Sequence, residues 1–376
     1  MGKKKSGIYI HFPFCKIKCG YCDFYSITNQ ESSIPLFIDS LVKEIEIFFQ
    51  ENDVHNMQFD SIFLGGGTPS IIPAKYLEKI FLKLSDYIDI NSLEEITIEA
   101  NPGESPKNRL KEFRNLGINR ISFGFQSLNN KLLRFLDRLH NSNDCIIAYN
   151  DARDSGFDNI NTDMIFNIPG QTVETLINDL KVIMELAPEH ISCYSLTVEK
   201  GTMLYNNVSK GKVKMPDEKL DYDMYKMVTS IIANSGYKQY ETSNYAKNNK
   251  KCAHNLHYWN LDPYLAFGPS AHGYDGKKRW WNHKSLDKYI SDIQNSKLPI
   301  NNSEFLSTKD HYNEMVMNGL RTSIGINTKK LISLNNEANF DNIINKWPQL
   351  IIEDDYLKLK NNDFMLLDEI TSDLFI

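Results

Sequence analysis

Strand-like and helix-like patterns alternate through the first two hundred residues, and this alternation restricts the possible folds more than any other feature. Short apolar runs such as 7–12 and 59–67 are typical of strands, whereas 36–49 carries apolar residues at helical spacing. About six strand–helix units fit between residues 7 and 200. Such alternation implies parallel strands joined by right-handed crossovers. We therefore predict an α/β fold whose core is a partial (β/α)6 TIM-like barrel, short of full eight-unit closure.

The rest of the chain departs from this pattern and suggests a division into three parts. Residues 210–235 read as a long helix, and 237–283 are rich in Tyr, Trp, Asn and His without a simple period. From about residue 300 the chain becomes polar and rich in Asn and Lys. We assign 1–235 to the barrel, 236–299 to a segment that extends the core, and 300–376 to a small C-terminal α+β domain.

The unusual motifs all fall where the predicted strands end. They are the cysteine-rich loop after residue 12, "GGGTPS", "EANP", "GFQS" and "DMIFNIPGQT". In barrels of parallel strands, functional residues lie at the C-terminal ends of the strands. We therefore expect these motifs to line one site.

The loop "CKIKCGYC" places Cys15, Cys19 and Cys22 within eight positions. Thiolates at short spacing suit zinc or an iron–sulfur cluster. A structural zinc site normally has four ligands, and this loop has no second cysteine pair nearby. A cubane cluster can instead be held by three thiolates, which leaves one iron open to a small chelating molecule. Cys145 and Cys193 lie in apolar runs and are interpreted as core residues.

The cysteine loop after a first strand, followed by "GGGTPS", resembles the radical S-adenosylmethionine (SAM) superfamily. The resemblance implies that Cys15, Cys19 and Cys22 hold a [4Fe–4S] cluster and that SAM chelates the fourth iron. Taken one at a time, the polar residues of the other motifs could equally be ordinary barrel-rim residues, and the glycines a tight turn. With the resemblance, the residues expected to bind SAM are Tyr9, Tyr21, Gly66, Gly67, Thr68, Glu99, Gln126, Arg138 (placed on the helix after "GFQS") and Asp163.

The order of motifs along most of the chain resembles the group around oxygen-independent coproporphyrinogen oxidase. That group contains decarboxylases and HemW-type haem chaperones. The decarboxylases carry a further cysteine where this chain has Phe24, and a longer segment before the cluster cysteines. The chaperones carry H-N-x-x-Y-W, here "HNLHYW" from His254 to Trp259. His254 is the favoured haem contact, with His257 and His272 as other candidates, and 236–299 is the haem-motif segment.

The resemblance therefore implies a haem chaperone that binds haem, a [4Fe–4S] cluster and SAM, and delivers haem to acceptor haemoproteins. The alternative is an oxygen-independent coproporphyrinogen III dehydrogenase, and a radical SAM enzyme with another substrate is a third reading. Whether the chain is an enzyme, and whether SAM is cleaved, stays open, and no catalytic residue is assigned.

Composition limits the partners. The net charge of −6 argues against nucleic acid, because nucleic-acid binders usually show a basic footprint. The run Lys3-Lys4-Lys5 is more typical of a solvated tail than of weak contact with a membrane surface. No apolar run approaches the roughly 18 residues of a membrane span, and a secretory signal is missing before Ile8, so we predict a cytoplasmic protein. Respiratory and membrane-bound haemoproteins are candidate acceptors, and a homodimer is left open.

Overall fold

The computed structural model describes residues 3–335 and 340–376. Its main feature is a 12-stranded sheet. The first six strands are parallel and lie side by side in chain order. The prediction of an α/β fold built on a partial six-unit parallel barrel is confirmed.

Helices connect these six strands. The strands are β1 (Lys4–Phe12), β2 (Met57–Gly66), β3 (Glu95–Ala100), β4 (Arg120–Gln126), β5 (Ile160–Phe166) and β6 (His190–Ser195). The helices are α1 (Ile34–Glu51), α2 (Ala74–Ser85), α3 (Lys107–Asn115), α4 (Asn130–Phe135), α5 (Ser142–Asp154) and α6 (Val173–Leu186).

The later elements extend both edges of this sheet. Helices α7 (Met203–Ser209) and α8 (Glu218–Asn234) lead to the edge pair β7 (Lys238–Gln239) and β8 (Asn244–Ala246). After α9 (Ala253–Asn260), strand β9 (Tyr264–Phe267) pairs parallel to β1. Antiparallel strands β10 (His272–Tyr274), β11 (Lys278–Asn282) and β12 (Ile300–Phe305) complete that edge, with α10 (Leu286–Gln294) between the last two.

The C-terminal residues build a second, smaller core. Its helices are α11 (Thr308–Leu320), α12 (Thr328–Leu334), α13 (Phe340–Lys346) and α14 (Leu367–Leu374). Its sheet has three antiparallel strands, β13 (Ile326–Asn327), β14 (Leu350–Glu353) and β15 (Tyr356–Leu359). The buried apolar residues of this core begin at Tyr312, whereas β12 still belongs to the large sheet.

Residue alternation in β1 shows how the strands position a site. Ile8, Ile10 and Phe12 are fully buried, and the ring of Phe12 meets that of Phe37 on α1 at 5.9 Å between centroids. Because successive side chains point to opposite faces of a strand, Tyr9 and His11 project to the other side. That side is the barrel interior, where Tyr9 stacks on Phe63 and His254.

One local prediction is wrong. The apolar spacing of 129–140 suggested a helix that carries Arg138, but α4 ends at Phe135 and Arg138 lies in the turn before α5. Asp137 adopts a left-handed conformation with φ of 54°, which a continuing helix does not allow. This turn brings Asp137 and Arg138 against the cysteine loop.

Within the described part of the chain, none of the helices has the length and apolar character required to cross a membrane.

Candidate cofactor site at the barrel mouth

The three clustered cysteines lie in the loop between β1 and α1 and line one cavity, named here the cysteine cavity. Thr68 Oγ1 donates a hydrogen bond to Cys15 Sγ at 3.5 Å. Arg138 Nη1 donates to Cys19 Sγ at 3.7 Å. The cavity therefore offers three thiols with a hydroxyl donor and a guanidinium beside them.

Backbone hydrogen bonds fix the shape of this loop at both ends and in its middle. Cys15 N–H donates to Ile27 O at 2.9 Å, which closes the loop at its base. Gly20 N–H donates to the Asp137 carboxylate at 3.1 Å, and Gly20 O accepts from Leu204 N–H at 2.8 Å. The thiols are thus held by the closed base of the loop and by contacts from the α4–α5 turn and α7.

The donor set fits an iron–sulfur cubane. Burial raises the pKa of the Cys15 and Cys22 thiols, but a coordinated metal deprotonates a thiol outright, and the Arg138 charge favours thiolates. Among the described residues, no three His, Cys, Asp or Glu side chains converge as they would on a single metal ion. Thiolates of a cubane bind different irons and do not need to converge in that way.

Two glycines at the end of β2, the last strand residue Gly66 and the following Gly67, allow the backbone to pass close to the cysteine loop. Gly66 has φ of 110°, a conformation that favours glycine, and its N–H donates to Glu99 Oε2 at 3.1 Å. A Cβ at Gly67 would lie 2.7 Å from Phe14 O and 3.0 Å from Cys15 Sγ. This corner therefore has no room for a side chain next to Cys15.

Asn101 and Arg138 form the polar wall of the cysteine cavity. Asn101 Nδ2 donates to Thr68 Oγ1 at 3.0 Å and to Glu104 Oε2 at 2.8 Å. Arg138 Nη2 donates to Gly124 O at 2.8 Å and to Asn101 Oδ1. Arg138 Nε is buried and has no hydrogen-bond partner within the described residues. A guanidinium with a spare donor suits the carboxylate of a bound small molecule.

A second cavity of about 270 Å³, named here the barrel cavity, continues from Gly66 into the barrel interior. Glu99 and Asp163 both line it. Glu99 lies near the end of β3, whereas Asp163, which the sequence placed at a strand end, lies in the middle of β5. Burial, followed by the charge of Asp163, raises the pKa of Glu99 to about 7, and burial also raises the pKa of Asp163. Two carboxyl groups held together in this way favour a cationic ligand, whose charge would offset their repulsion.

A chain of buried hydrogen bonds positions Asp163. Asn161 Nδ2 donates to Asp163 Oδ1 at 2.7 Å, and Ser122 Oγ donates to Asp163 Oδ2 at 3.0 Å. Asn161 Oδ1 can only accept, so the hydrogen bond of 2.6 Å to His190 places the proton on His190 Nδ1. His190 Nε2 then accepts from the Tyr240 hydroxyl at 2.7 Å. The Asp163 carboxylate is therefore held by Asn161, which is itself held by His190, which is in turn held by Tyr240.

The other predicted residues are placed as follows. Tyr9 lines the barrel cavity, and its hydroxyl is 3.0 Å from His11 Nδ1. Tyr21 lines the cysteine cavity, and burial raises the pKa of its hydroxyl. Gln126 has φ of 67° and follows a register shift in β4, and it is not part of the lining of either cavity.

The "HNLHYW" motif forms α9, which contacts β1 and β2 and contributes His254, Asn255 and Tyr258 to the lining of the barrel cavity. His254 is 0% exposed, with Nδ1 3.3 Å from Ser61 Oγ and Nε2 2.9 Å from the Tyr258 hydroxyl. Burial, followed by the charge of His257, lowers the pKa of His254 to about 3. Its ring is neutral, and both ring nitrogens have protein partners.

His257 differs from His254 in charge. Its Nε2 lies 2.7 Å from Asp60 Oδ1, and its Nδ1 lies 3.3 Å from Asp262 Oδ2. Burial opposes protonation, but hydrogen bonds to Asp262 and Asp60 outweigh it and raise the pKa to about 9. The His257 side chain is therefore a buried cation in the barrel floor. His272 is exposed on β10 and stacks on Trp281 at 5.8 Å between ring centroids.

Sequence reasoning did not single out three residues that shape this site: Asn101 and Arg120, which line the cavities, and Asp137, which holds Gly20 of the cysteine loop. Asn101 and Arg120 lie within the quoted motifs "EANP" and "RISFGFQS", but nothing in the pattern ranks them above their neighbours. Arg120 lines the barrel cavity, and its buried Nε has no hydrogen-bond partner in residues 3–335 and 340–376. Asp137 depends on a turn that the helical spacing concealed.

Comparison with known proteins shows that the chain is similar to radical SAM proteins, among them haem chaperones named HemW. The Radical SAM superfamily model matches residues 9–183. The heme chaperone HemW of Bacillus subtilis is 34% identical over 86% of this chain and 85% of its own length. HemW of Haemophilus influenzae is 40% identical over 71% of this chain and 69% of its own length. The structure of the Escherichia coli coproporphyrinogen III oxidase HemN, a radical SAM enzyme, aligns with a TM-score of 0.83 at 20% identity, over 99% of this chain and 90% of that one.

Proposed function

We propose that this chain, which belongs to the HemW haem chaperone family of the radical SAM superfamily, binds haem and delivers it to acceptor haemoproteins. The observation that carries the proposal is the similarity to HemW proteins at 34% and 40% identity over most of both chains. The likeness to HemN is at 20% identity and bears on the fold alone. The extra cysteine of the decarboxylases is replaced here by Phe24.

The cofactors follow from membership of the radical SAM superfamily, which implies a [4Fe–4S] cluster and SAM. Cys15, Cys19 and Cys22 would hold the cluster, which supplies one electron and an open iron when it is bound. The common cavity of the three thiols and the Arg138 charge beside Cys19 support this assignment. Gly67 lets the backbone pass beside Cys15 without a steric clash.

SAM would occupy the space between the two cavities. Arg138, with its spare Nε donor, would take the carboxylate, and Glu99 and Asp163 would take ribose hydroxyls or a positive charge. Gly66 and Thr68 line the junction with the cysteine cavity, and Tyr9 and Tyr21 contribute an aromatic wall. Gln126 stays a prediction, and its contribution would require the side chain to turn toward the cavities.

Glu99 should give SAM binding a pH dependence. Burial and the charge of Asp163 raise the pKa of this carboxyl to about 7, whereas SAM is a cation and favours the ionised form. SAM affinity should therefore rise as pH increases toward 7 and level off above it, with a loss of up to about tenfold for each pH unit below 7. Equilibrium binding of SAM from pH 6 to 8 measures this slope. Glu99→Gln should flatten it, and an undiminished slope in that variant would assign the titration to another group.

His254 as a haem contact stays a prediction from the sequence. In the observed arrangement its ring is enclosed in the barrel floor, and ligation would require the hydrogen bonds to Ser61 and Tyr258 to break. The same holds for His257, because a protonated imidazole has no lone pair for iron. Respiratory acceptors, contact with a membrane surface and a homodimer also stay predictions.

One experiment separates the chaperone from the decarboxylase. The anaerobic protein with its cluster is titrated with haem while the Soret band is followed, and a parallel sample receives coproporphyrinogen III, SAM and a reductant. We expect saturable haem binding with a shifted Soret band and no release of carbon dioxide. Steady decarboxylation would contradict the proposal, whatever the haem spectrum shows.

A further inference from the structure

Large apolar side chains stand exposed around the opening of the two cavities. Phe24 is 68% exposed, Leu139 62% and Met203 61%. Ile17 and Tyr194 are also exposed, but to a smaller fraction. These five residues are named here the apolar rim: Ile17, Phe24, Leu139, Tyr194 and Met203. A cluster of exposed apolar residues at a cofactor site is the usual mark of a binding surface.

The cavity linings place these side chains on one surface. Ile17 and Leu139 line the cysteine cavity, whereas Phe24 and Tyr194 line the barrel cavity. The two cavities adjoin, because Gly66 lines both. Met203 packs on the cysteine loop, since a Cβ added at Gly20 would lie 3.5 Å from the Cβ of Met203.

Two lysines add positive charge to the same loop. Lys16 and Lys18 are exposed between Cys15 and Cys19. Lys18 Nζ donates to the backbone carbonyl of Phe24 at 2.8 Å, which places its ammonium next to the most exposed residue of the rim. Lys16 Nζ lies 3.8 Å from Glu104 Oε1 and remains about half exposed. The rim is therefore an apolar surface with a cationic margin.

We infer that the apolar rim is the docking surface for haem, with the porphyrin face on the rim side chains and the propionates on Lys16 and Lys18. This inference rests on the proposed function and names the site at which it operates. Haem has the matching chemistry, because it combines a flat apolar macrocycle with two carboxylates on one edge. A ligand seated there would cover both the cluster cysteines and the barrel cavity.

Two other places near the cofactor site are less suitable for haem. Glu99, Asp163 and Arg120 line the barrel cavity, and an apolar macrocycle placed there would strip water from charged groups without replacing their partners. Helix α9 contributes His254 to the lining of the barrel cavity, but the ring is 0% exposed and both of its nitrogens are hydrogen-bonded. The rim is accessible without rearrangement.

The test uses the full-length protein with its cluster and three probes: haem, metal-free protoporphyrin IX and haem dimethyl ester. The double variant Phe24→Ser, Leu139→Ser should weaken the binding of all three probes by about tenfold or more, because the macrocycle loses apolar contact. The double variant Lys16→Ala, Lys18→Ala should weaken haem and protoporphyrin IX by about threefold at low salt, and should leave the ester unaffected. Leu82→Ser on α2 and Lys181→Ala on α6 are the matched surface controls.

The outcomes distinguish the rim from the proposed function. If the wild-type protein and the rim variants bind haem equally well, the rim is not the haem site, and the proposed chaperone function is unaffected. Rim variants that bind haem normally but fail to transfer it would mark the rim as the acceptor's surface, which also overturns the inference. Wild-type protein that binds neither haem nor protoporphyrin IX would overturn both. A His254→Gln protein that folds and keeps its haem affinity supports the rim as the haem site. A tenfold loss of haem affinity in His254→Gln, with normal affinity in the rim variants, would place haem at α9.

Discussion

Replacing any one of Cys15, Cys19 and Cys22 by alanine should abolish the iron–sulfur cluster. With only three protein thiolates for four irons, the loss of one leaves two irons without a protein ligand. We expect anaerobic reconstitution to give about four irons and four sulfides per wild-type chain, and less than about one in each variant. Chemical analysis of iron and sulfide, with the visible absorption of the cluster, measures the difference.

Two buried cysteines provide the matched controls. Cys145 is 0% exposed on α5 and Cys193 is 3% exposed on β6, and burial raises the pKa of both thiols. Cys145→Ala and Cys193→Ala should therefore keep the full cluster, at the cost of a small cavity in the core. Loss of iron from either control with unchanged circular dichroism would contradict the three-ligand assignment. Retention of four irons in Cys19→Ala would contradict it equally.

Glu95→Gln should lower the free energy of unfolding far more than Glu94→Gln at the neighbouring position, because the Glu95 carboxylate anchors α9 in the barrel floor. Glu95 is buried at the start of β3 and accepts hydrogen bonds from Ala253 N–H at 3.1 Å and from His254 N–H at 3.5 Å. Its Oε2 also lies 3.8 Å from the Nε of buried Arg120. Removing the charge leaves Arg120 poorly compensated and the first turn of α9 without its anion, at a cost of about 3–5 kcal/mol.

The neighbouring residue tests this prediction. Glu94 has a side chain that is 62% exposed and pairs with Lys5 at 3.0 Å, and surface pairs of this kind contribute less than about 1 kcal/mol. Urea unfolding of the Glu95→Gln and Glu94→Gln proteins, followed by circular dichroism, measures the two costs. Equal midpoints would show that Glu95 does not support the barrel floor.

The sequence predicted the parallel core well because local signals specify it. Ile8, Ile10 and Phe12 alternate with Tyr9 and His11, and this period of two alone determines which side chains face α1 and which face the barrel interior. The strand ends then bring the cysteine loop, Gly66 and Glu99 to one edge, because parallel strands all end there, whereas Asp163 lines the barrel cavity from the middle of β5. Short-range patterns were sufficient for this part of the site.

Features that depend on distant contacts were not predictable. Helix α9 has eight residues without a clear apolar period, and it is held by Glu95, Asp60 and Ser61 from strands far away in the sequence. Strand β9 pairs with β1 across more than two hundred residues, which no local pattern encodes. The position of Arg138 depended on a single left-handed residue, Asp137, that interrupts an otherwise helical pattern.

Transfer of haem by this chain is measured most directly as delivery to an acceptor. Protein carrying its cluster and one haem is mixed with an apo-haemoprotein, and the Soret band of the acceptor is followed. A parallel sample separates the two proteins by a dialysis membrane. We expect the acceptor to fill rapidly on mixing and much more slowly across the membrane, because transfer requires contact between the proteins. Equal rates in the two samples would show that haem merely dissociates, and would contradict a chaperone.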